Sequence, residues 1–355
     1  MSRSGAAQAG SGGVQARRVS IIIVNYGPGW DTLECLESVL RLRHGNRQVV
    51  VCDNGPDGGA TALLCAWAAG GLNLRAPAEA RLRRLVRPPV PKPVRYALYR
   101  DAEVEAGAVR PDPSLPLVLI ASAANRGFAG GSNLALRYAA LAGGADYFWL
   151  LNNDTVVEPE ALCALLETAE ADPAVGLCGS TLLDYRRPHR VQARGGGRYD
   201  RWLGRTGLAG RGEAADAAAP ATGPALDFVH GASMLVRRAF LDAVGPLDER
   251  YFLYFEELDW AARAGGRFRL GYAPGSIVYH KEGGAAGSAA RAPALRSRLA
   301  DRHGIRSRIL FTRRFHPWAL PTVYLGLLGA MLNRARRRQW DRLPMILRLM
   351  IGAGR

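Results

Sequence analysis

Four short apolar runs in the first 170 residues, VSIIIV, QVVVC, LPLVLIA and YFWLL, place the strongest limit on the fold. Each is continuous, and most are rich in β-branched residues, the pattern of a strand buried on both faces. Each ends in a polar or glycine-rich cluster: VNYGPG, CDNGPDGG, SAANRGFAGG and LNNDT. Each is followed by a stretch with helical spacing, over 31–43, 61–69, 132–142 and 158–172, the last entered through Pro159. Four strand–helix alternations predict an α/β fold built on a doubly wound, mainly parallel sheet. Ligands of such sheets bind beyond the carboxyl ends of the strands. The four clusters are therefore where a site belongs.

Residues 70–114, with RPPVPKPVRY and many charges, break the rhythm and predict an exposed insertion between the second and third of these strands. A Gly/Ala-rich loop over 204–223 is expected to be mobile. Residues 1–18 lack the apolar region of a signal peptide and read as a disordered tail. The five cysteines are scattered, with neither CxxC spacing nor a disulfide framework, which points to a reducing cytosol. The net charge of +16 is the anomaly. It attracts nucleic acid, anionic headgroups or phosphorylated ligands without choosing among them. No stretch reaches the ~18 uninterrupted apolar residues of a membrane span.

Each strand end has two readings. Asp53 either opens an Asx-turn or accepts hydrogen bonds from a nucleobase imide or a ribose hydroxyl. The glycines of NRGFAGGSN either make a tight turn capped by Ser132 or bring backbone close to an anionic ligand at a helix N-terminus. Neither GxGxxG nor GxxxxGK[ST] is present. Asp154 (or Thr155) either caps the next helix, or Asp154 holds a hard divalent cation together with substrate phosphates. Glu256, Glu257 and Asp259 either complement a helix dipole or include a shielded general base. His280 is either structural or the second ligand such a metal needs.

Taken in order, VSIIIVNY, CDNG, NRGFAGGSN, LLNNDTVVEP, GASMLVRRAF, GPLDERYFLYFEELDWAAR and YHKEGG resemble the family 2 glycosyltransferases of GT-A fold, in particular their bacterial rhamnosyltransferase-like branch. The resemblance spans roughly residues 18–284 and rests on seven ordered blocks. It implies a donor pocket for a dTDP- or UDP-sugar at Val24, Asn25, Tyr26, Asp53, Asn125, Gly127, Phe128, Asn133 and Asn153, with Asp53 on the base. It implies a divalent metal, Mg²⁺ or Mn²⁺, on Asp154 and His280. Asn152 and Asn153 stand where other members have further aspartates. It implies an acceptor side at Gly231, Ala232, Ser233 and Trp260, and a catalytic base at Glu257 or Glu256. The implied reaction is a single displacement with inversion, moving sugar to a glycan or lipid-linked acceptor in cell-surface polysaccharide synthesis.

The expected organisation is a catalytic domain over 19–290 and a basic helical extension over 291–355. In the extension, apolar stretches alternate with arginine clusters around Trp318, Tyr324 and Trp340. Amphipathic helices of that kind lie on anionic membranes, so a cytoplasmic protein peripheral to the inner membrane face is expected. The alternative is a helical pair packed on the domain with solvated arginines. No nucleic-acid-reading signature is present. Two rival functions are a sugar-nucleotide nucleotidyltransferase and a degenerate sugar-nucleotide-binding scaffold. The first lacks its basic glycine-rich motif, because VNYGPGWDTLECL has no Lys or Arg. The second draws on the Asn152–Asn153 pair and on Glu257.

Overall fold

The apolar runs form the strands expected of them. The computed structural model of the chain describes residues 14–55, 59–217, 223–282 and 298–352. Strand β1 (Val19–Asn25) leads through α1 (Trp30–Val39) to β2 (Arg47–Asp53), and α2 (Gly59–Ala69) and α3 (Ala80–Val86) follow. Next come β3 (Tyr96–Arg100), α4 (Asp101–Glu105), β4 (Leu117–Ala121), α5 (Gly127–Ala142) and β5 (Tyr147–Asn152). Then come β6 (Thr155–Val157), α6 (Ala161–Ala171), β7 (Val175–Asp184) and β8 (Arg187–Arg194). Strands β9 (Gly196–Asp200), β10 (Arg205–Leu208) and β11 (Phe228–Val229) make a small antiparallel sheet. The last sheet-bearing elements are β12 (Ser233–Arg237), α7 (Arg238–Val244), α8 (Glu256–Ala264) and β13 (Arg269–His280). Helices α9 (Arg298–Phe315), α10 (Leu320–Arg336) and α11 (Leu343–Met350) end the described chain.

The large sheet has the order β3-β4-β2-β1-β5-β12-β7-β13-β6, with β8 also paired to β7. From β3 to β5 it is parallel; β12 then enters antiparallel to both its neighbours. Successive side chains of a strand point to opposite faces. Ile21 and Ile23 accordingly pack with Leu36, Trp67 and Leu165 on one face, and Ile22 packs with Tyr138, Phe240 and Trp260 on the other.

Several expectations change. The segment 70–114 lies between β2 and β4 as an insertion, but part of it joins the sheet: its β3 pairs in parallel with β4 as the edge strand. Within the tail expected over 1–18, Val14 is buried and Arg17 pairs with Glu170 and Asp146; residues 1–13 lie outside the described residues. The expected loop 204–223 carries β10, with 218–222 outside the described residues. Ser132 caps nothing: α5 begins at Gly127 and Ser132 is buried inside it. The five cysteines are free thiols.

The C-terminal helices dock on the sheet-bearing part, and residues 291–297 of the expected extension lie outside the described residues. Arg314 of α9 reaches Asp248 (2.7 Å) and the fully buried Asp259 (2.8 Å). Phe311 packs against Tyr199 and Phe255, and His303 stacks on Phe252. Among the described residues, no helix is long and apolar enough to cross a membrane.

Candidate active site

The polar clusters converge at the carboxyl edge of the central strands. The amide of Asn25, at the end of β1, donates to Asp53 Oδ1 (2.9 Å). Its oxygen accepts from Thr32 Oγ1 (2.6 Å) and from Asn153 Nδ2 (3.1 Å), which also donates to Thr32 (3.0 Å). The ends of β1, β2 and β5 and the start of α1 are thus tied into one network. Tyr26 stands at its rim, exposed.

Asp53 is engaged by protein donors on both carboxylate oxygens. Its Oδ1 accepts from Asn25 and from the Gly55 N–H; its Oδ2 accepts from the Thr61 N–H and hydroxyl, both at 2.7 Å. The Asx-turn reading therefore holds, and Asp53 caps α2 from a distance. Asn133 is likewise committed: its amide donates to Leu247 O and Glu249, and its oxygen accepts from Leu247 N. Asn125 accepts from Gly127 N and Asn54.

The glycines of NRGFAGGSN admit protein. Gly127 has φ +68°, and a Cβ there would lie 2.2 Å from Phe252 O. The next amide, Phe128 N, donates to that same oxygen at 2.9 Å. At Gly131 a Cβ would press on Val24.

Asp154 and His280 meet because of strand register. His280 pairs with Thr155 where β13 runs antiparallel to β6. The carboxylate next door then lies 3.2 Å from His280 Nε2, with both residues buried. The helix-cap reading fails, since α6 begins only at Ala161. Burial works to lower the His280 pKa, but the charge and hydrogen bond of Asp154 outweigh it and raise the pKa above its usual value.

Sequence reading missed the partner of the other ring nitrogen. Gln192 Oε1 lies 2.7 Å from His280 Nδ1, and Gln192 Nε2 donates to Glu282 (3.2 Å), which holds Arg211. Leu183 pairs with Val191 and Leu182 with Ala193, so Gln192 sits on a bulge that re-aims its side chain. Bulges leave no signature in composition. An amide oxygen opposite Nδ1 makes that nitrogen the donor and leaves Nε2 toward Asp154.

His230 directly precedes the GASMLVRRAF block. Its ring centroid is 5.9 Å from that of His280, and its Nδ1 accepts from Ala232 N. Burial first, then His280, lower it to about 3, so it is a neutral ring.

Glu257 lies beyond His230. A Cβ on Gly231 would be 3.9 Å from both Glu257 Oε1 and Phe128 Cε1, which brings these three residues together. Tyr254 and Phe255 enter α8 with φ of 69° and 73°. Left-handed backbone at two non-glycine residues is strain of the kind held at functional sites. Oε2 of Glu256 and of Glu257 are both buried with no hydrogen-bond partner among the described residues. Burial pushes Glu257 up to about 7; burial and the charge of Glu257 push the more buried Glu256 well above the usual range.

Three acceptor-side expectations are corrected. Trp260 is fully buried, edge-on to Phe240, and its indole donates to Gly245 O. Ser233 is fully buried and bonded to Trp149 and Ser180. Ala232 is buried in the turn into β12, where its carbonyl accepts from Asn152 N. Strand β12 is central, so both its faces are core. Asp259 is taken by Arg263 and Arg314 and is no base.

Residues 112–243, which carry NRGFAGGSN, Asp154 and Gly231, match the model of glycosyl transferase family 2. The match covers this segment of the chain. The family 2 segment leaves out Asn25, Asp53, Glu257 and His280, which the fold brings to it. A relative from Mycobacterium tuberculosis, N-acetylglucosaminyl-diphospho-decaprenol L-rhamnosyltransferase, is 34% identical over 124 residues. That match spans 32% of this chain and 38% of the relative's length. Among solved structures, the mannosyltransferase PcManGT from Pyrobaculum calidifontis with GDP-Man and Mn²⁺ aligns at TM-score 0.48 and 18% identity, over 96% of this chain and 81% of that one. TarS 1–349 of S. aureus with UDP aligns at 0.45 and 12% identity, over 92% and 73%.

Proposed function

We propose that the protein is an inverting glycosyltransferase that moves a sugar from a UDP- or dTDP-sugar to a hydroxyl of a glycan or lipid-linked acceptor in cell-surface polysaccharide synthesis. One observation carries this reading. A ligand pair, Asp154 and His280, and a carboxylate that titrates near neutrality, Glu257, stand on either side of His230 and Gly231 at one sheet edge.

Asp154 and His280 fit a divalent ion. Their 3.2 Å separation suits neighbouring ligands of a hard cation bound at ~2.1 Å. No group of three or more His, Cys, Asp or Glu gathers among the described residues, so the remaining ligands would be phosphate oxygens and water. When bound, Mg²⁺ or Mn²⁺ would neutralise charge on the departing diphosphate. Gln192 fixes the His280 ring. Tyr26, Val24 and Asn153 border the nucleoside and Phe128 the sugar, while Asp53 and Asn133 hold those loops from behind. Glu257 takes the proton of the attacking acceptor hydroxyl, beside the more deeply buried Glu256, whose pKa burial and Glu257 raise. The sugar is attacked from the face opposite the diphosphate, which inverts its anomeric centre.

The C-terminal part supplies a membrane contact. Leu325, Leu328 and Leu332 line one exposed face of α10, which runs into Arg336, Arg337 and Arg338. Trp318 and Trp202 meet edge-to-face with ring centroids 4.6 Å apart and are both exposed. Exposed leucine and tryptophan beside arginine match an anionic lipid surface, with the protein peripheral on the cytoplasmic face.

The deciding test is transfer or donor hydrolysis with Mn²⁺ across a panel of nucleotide-sugars. Activity should be lost in Asp154→Ala and Glu257→Gln. Full activity in both variants would sink the reading. Donor binding without turnover by any acceptor would favour a scaffold.

A further inference from the structure

Behind Gln192 lies a cavity of about 230 Å³ lined by Arg187, Arg190 and Arg211 together with Asp184 and Glu282. We propose that it is an anion subsite that takes a phosphate group of the acceptor, distinct from the place of the donor's diphosphate at Asp154 and His280. The identity of the acceptor rests on the glycosyltransferase reading; the anion site does not.

Every guanidinium there is held from one side. Arg187 clasps Asp184 through Nε (3.1 Å) and Nη2 (2.8 Å). Arg190 gives Nη1 to Gly212 O (2.9 Å), and Arg211 gives Nη2 to Glu282 (3.2 Å). A guanidinium has five N–H donors in a fixed fork, so each keeps donors beyond these bonds. The two carboxylates balance two of the three positive charges and leave one in excess. Three anchored guanidinium forks lining one cavity suit the bidentate geometry of phosphate.

Gln192 is the wall between the cavity and the metal-binding pair. Its amide nitrogen faces Glu282 on the cavity side, and its oxygen faces His280 on the other. An acceptor phosphate in the cavity would therefore lie next to the donor's diphosphate without sharing its ligands.

Inorganic pyrophosphate without divalent metal is the first probe, followed by calorimetry. Arg187→Gln/Arg190→Gln should weaken it tenfold or more, while Asp154→Ala leaves it within twofold. Binding of UDP with Mn²⁺ should show the opposite pattern. With a short polyprenyl-diphosphate-linked sugar as acceptor, the double variant should raise KM about tenfold at unchanged donor KM; the same sugar as an alkyl glycoside should show no change. Wild-type pyrophosphate affinity in the double variant, with its melting temperature retained, overturns the subsite. Displacement of pyrophosphate by UDP–Mn²⁺ from the wild type assigns the cavity to the donor and overturns it too. Loss of pyrophosphate binding with no change in KM for the phosphorylated acceptor reduces the site to one for free anion, against the proposal. If neither UDP nor dTDP binds while arginine-dependent pyrophosphate binding persists, the donor reading falls and the anion site stands.

Discussion

In the proposed reaction Glu257 acts through a proton. Its pKa of about 7, raised by burial, leaves the carboxylate largely protonated below neutrality. The ascending limb of kcat/KM against pH should therefore have its midpoint near 7, and Glu257→Gln should lower kcat by ~10²–10⁴. The same shift predicts a stability effect of fixed sign. A carboxyl raised in the folded state contributes stability that is full below its unfolded value of 4.5 and lost as pH rises through about 7. Thermal melts should then show Glu257→Gln gaining on the wild type between pH 4.5 and 7, with a constant lead above. Gln192 makes a second case. Residues that orient a metal-ligating histidine are worth 10–100-fold in affinity. Gln192→Leu should weaken Mn²⁺ by that factor in metal titrations followed by electron paramagnetic resonance, with little change in melting temperature. Glu257 was legible as one of a cluster of acids. Gln192 was not, because a bulge placed it.

The elements were legible where apolar runs were unbroken. Strands β1, β2, β4 and β5 fall within a few residues of VSIIIV, QVVVC, LPLVLIA and YFWLL. The edge strand β3 escaped because YALYR alternates exposed and half-buried positions inside a proline-rich segment. Trp260 and Ser233 were misplaced for a related reason: order along the chain does not tell which side of an element meets solvent. The glycines were read as room for a ligand, whereas Gly127 makes room for Phe252. Gly127→Ala would put a Cβ into that carbonyl at φ +68°. The cost should be at least ~1–3 kcal/mol, read as a fall of about 2–4 °C in melting temperature per kcal/mol.

Over the whole molecule, charge and exposed apolar surface coincide in the C-terminal helices. Arg314 ties α9 to Asp248 and Asp259, and His303 covers Phe252, so a surface that holds these helices also holds the segment leading to Glu256. The protein should sediment with vesicles containing anionic lipid and not with neutral ones. Leu325→Ser/Leu328→Ser/Leu332→Ser should lower vesicle binding at least tenfold, and salt should weaken it in the wild type. Equal binding of both proteins to both vesicle types would refute the membrane contact. The basic excess was legible in the sequence; which face carries the leucines needed the helix packing.

The bond from Phe128 N to Phe252 O has a consequence in time. The loop that opens α5 and the loop that ends at Glu256 share a backbone contact at 2.9 Å, so neither can shift alone. If the donor of the proposed reaction settles against residues 125–128, it would fix the second loop before an acceptor arrives. Initial rates should then follow a compulsory order with donor first. The released nucleoside diphosphate should compete with the donor and inhibit noncompetitively against the acceptor.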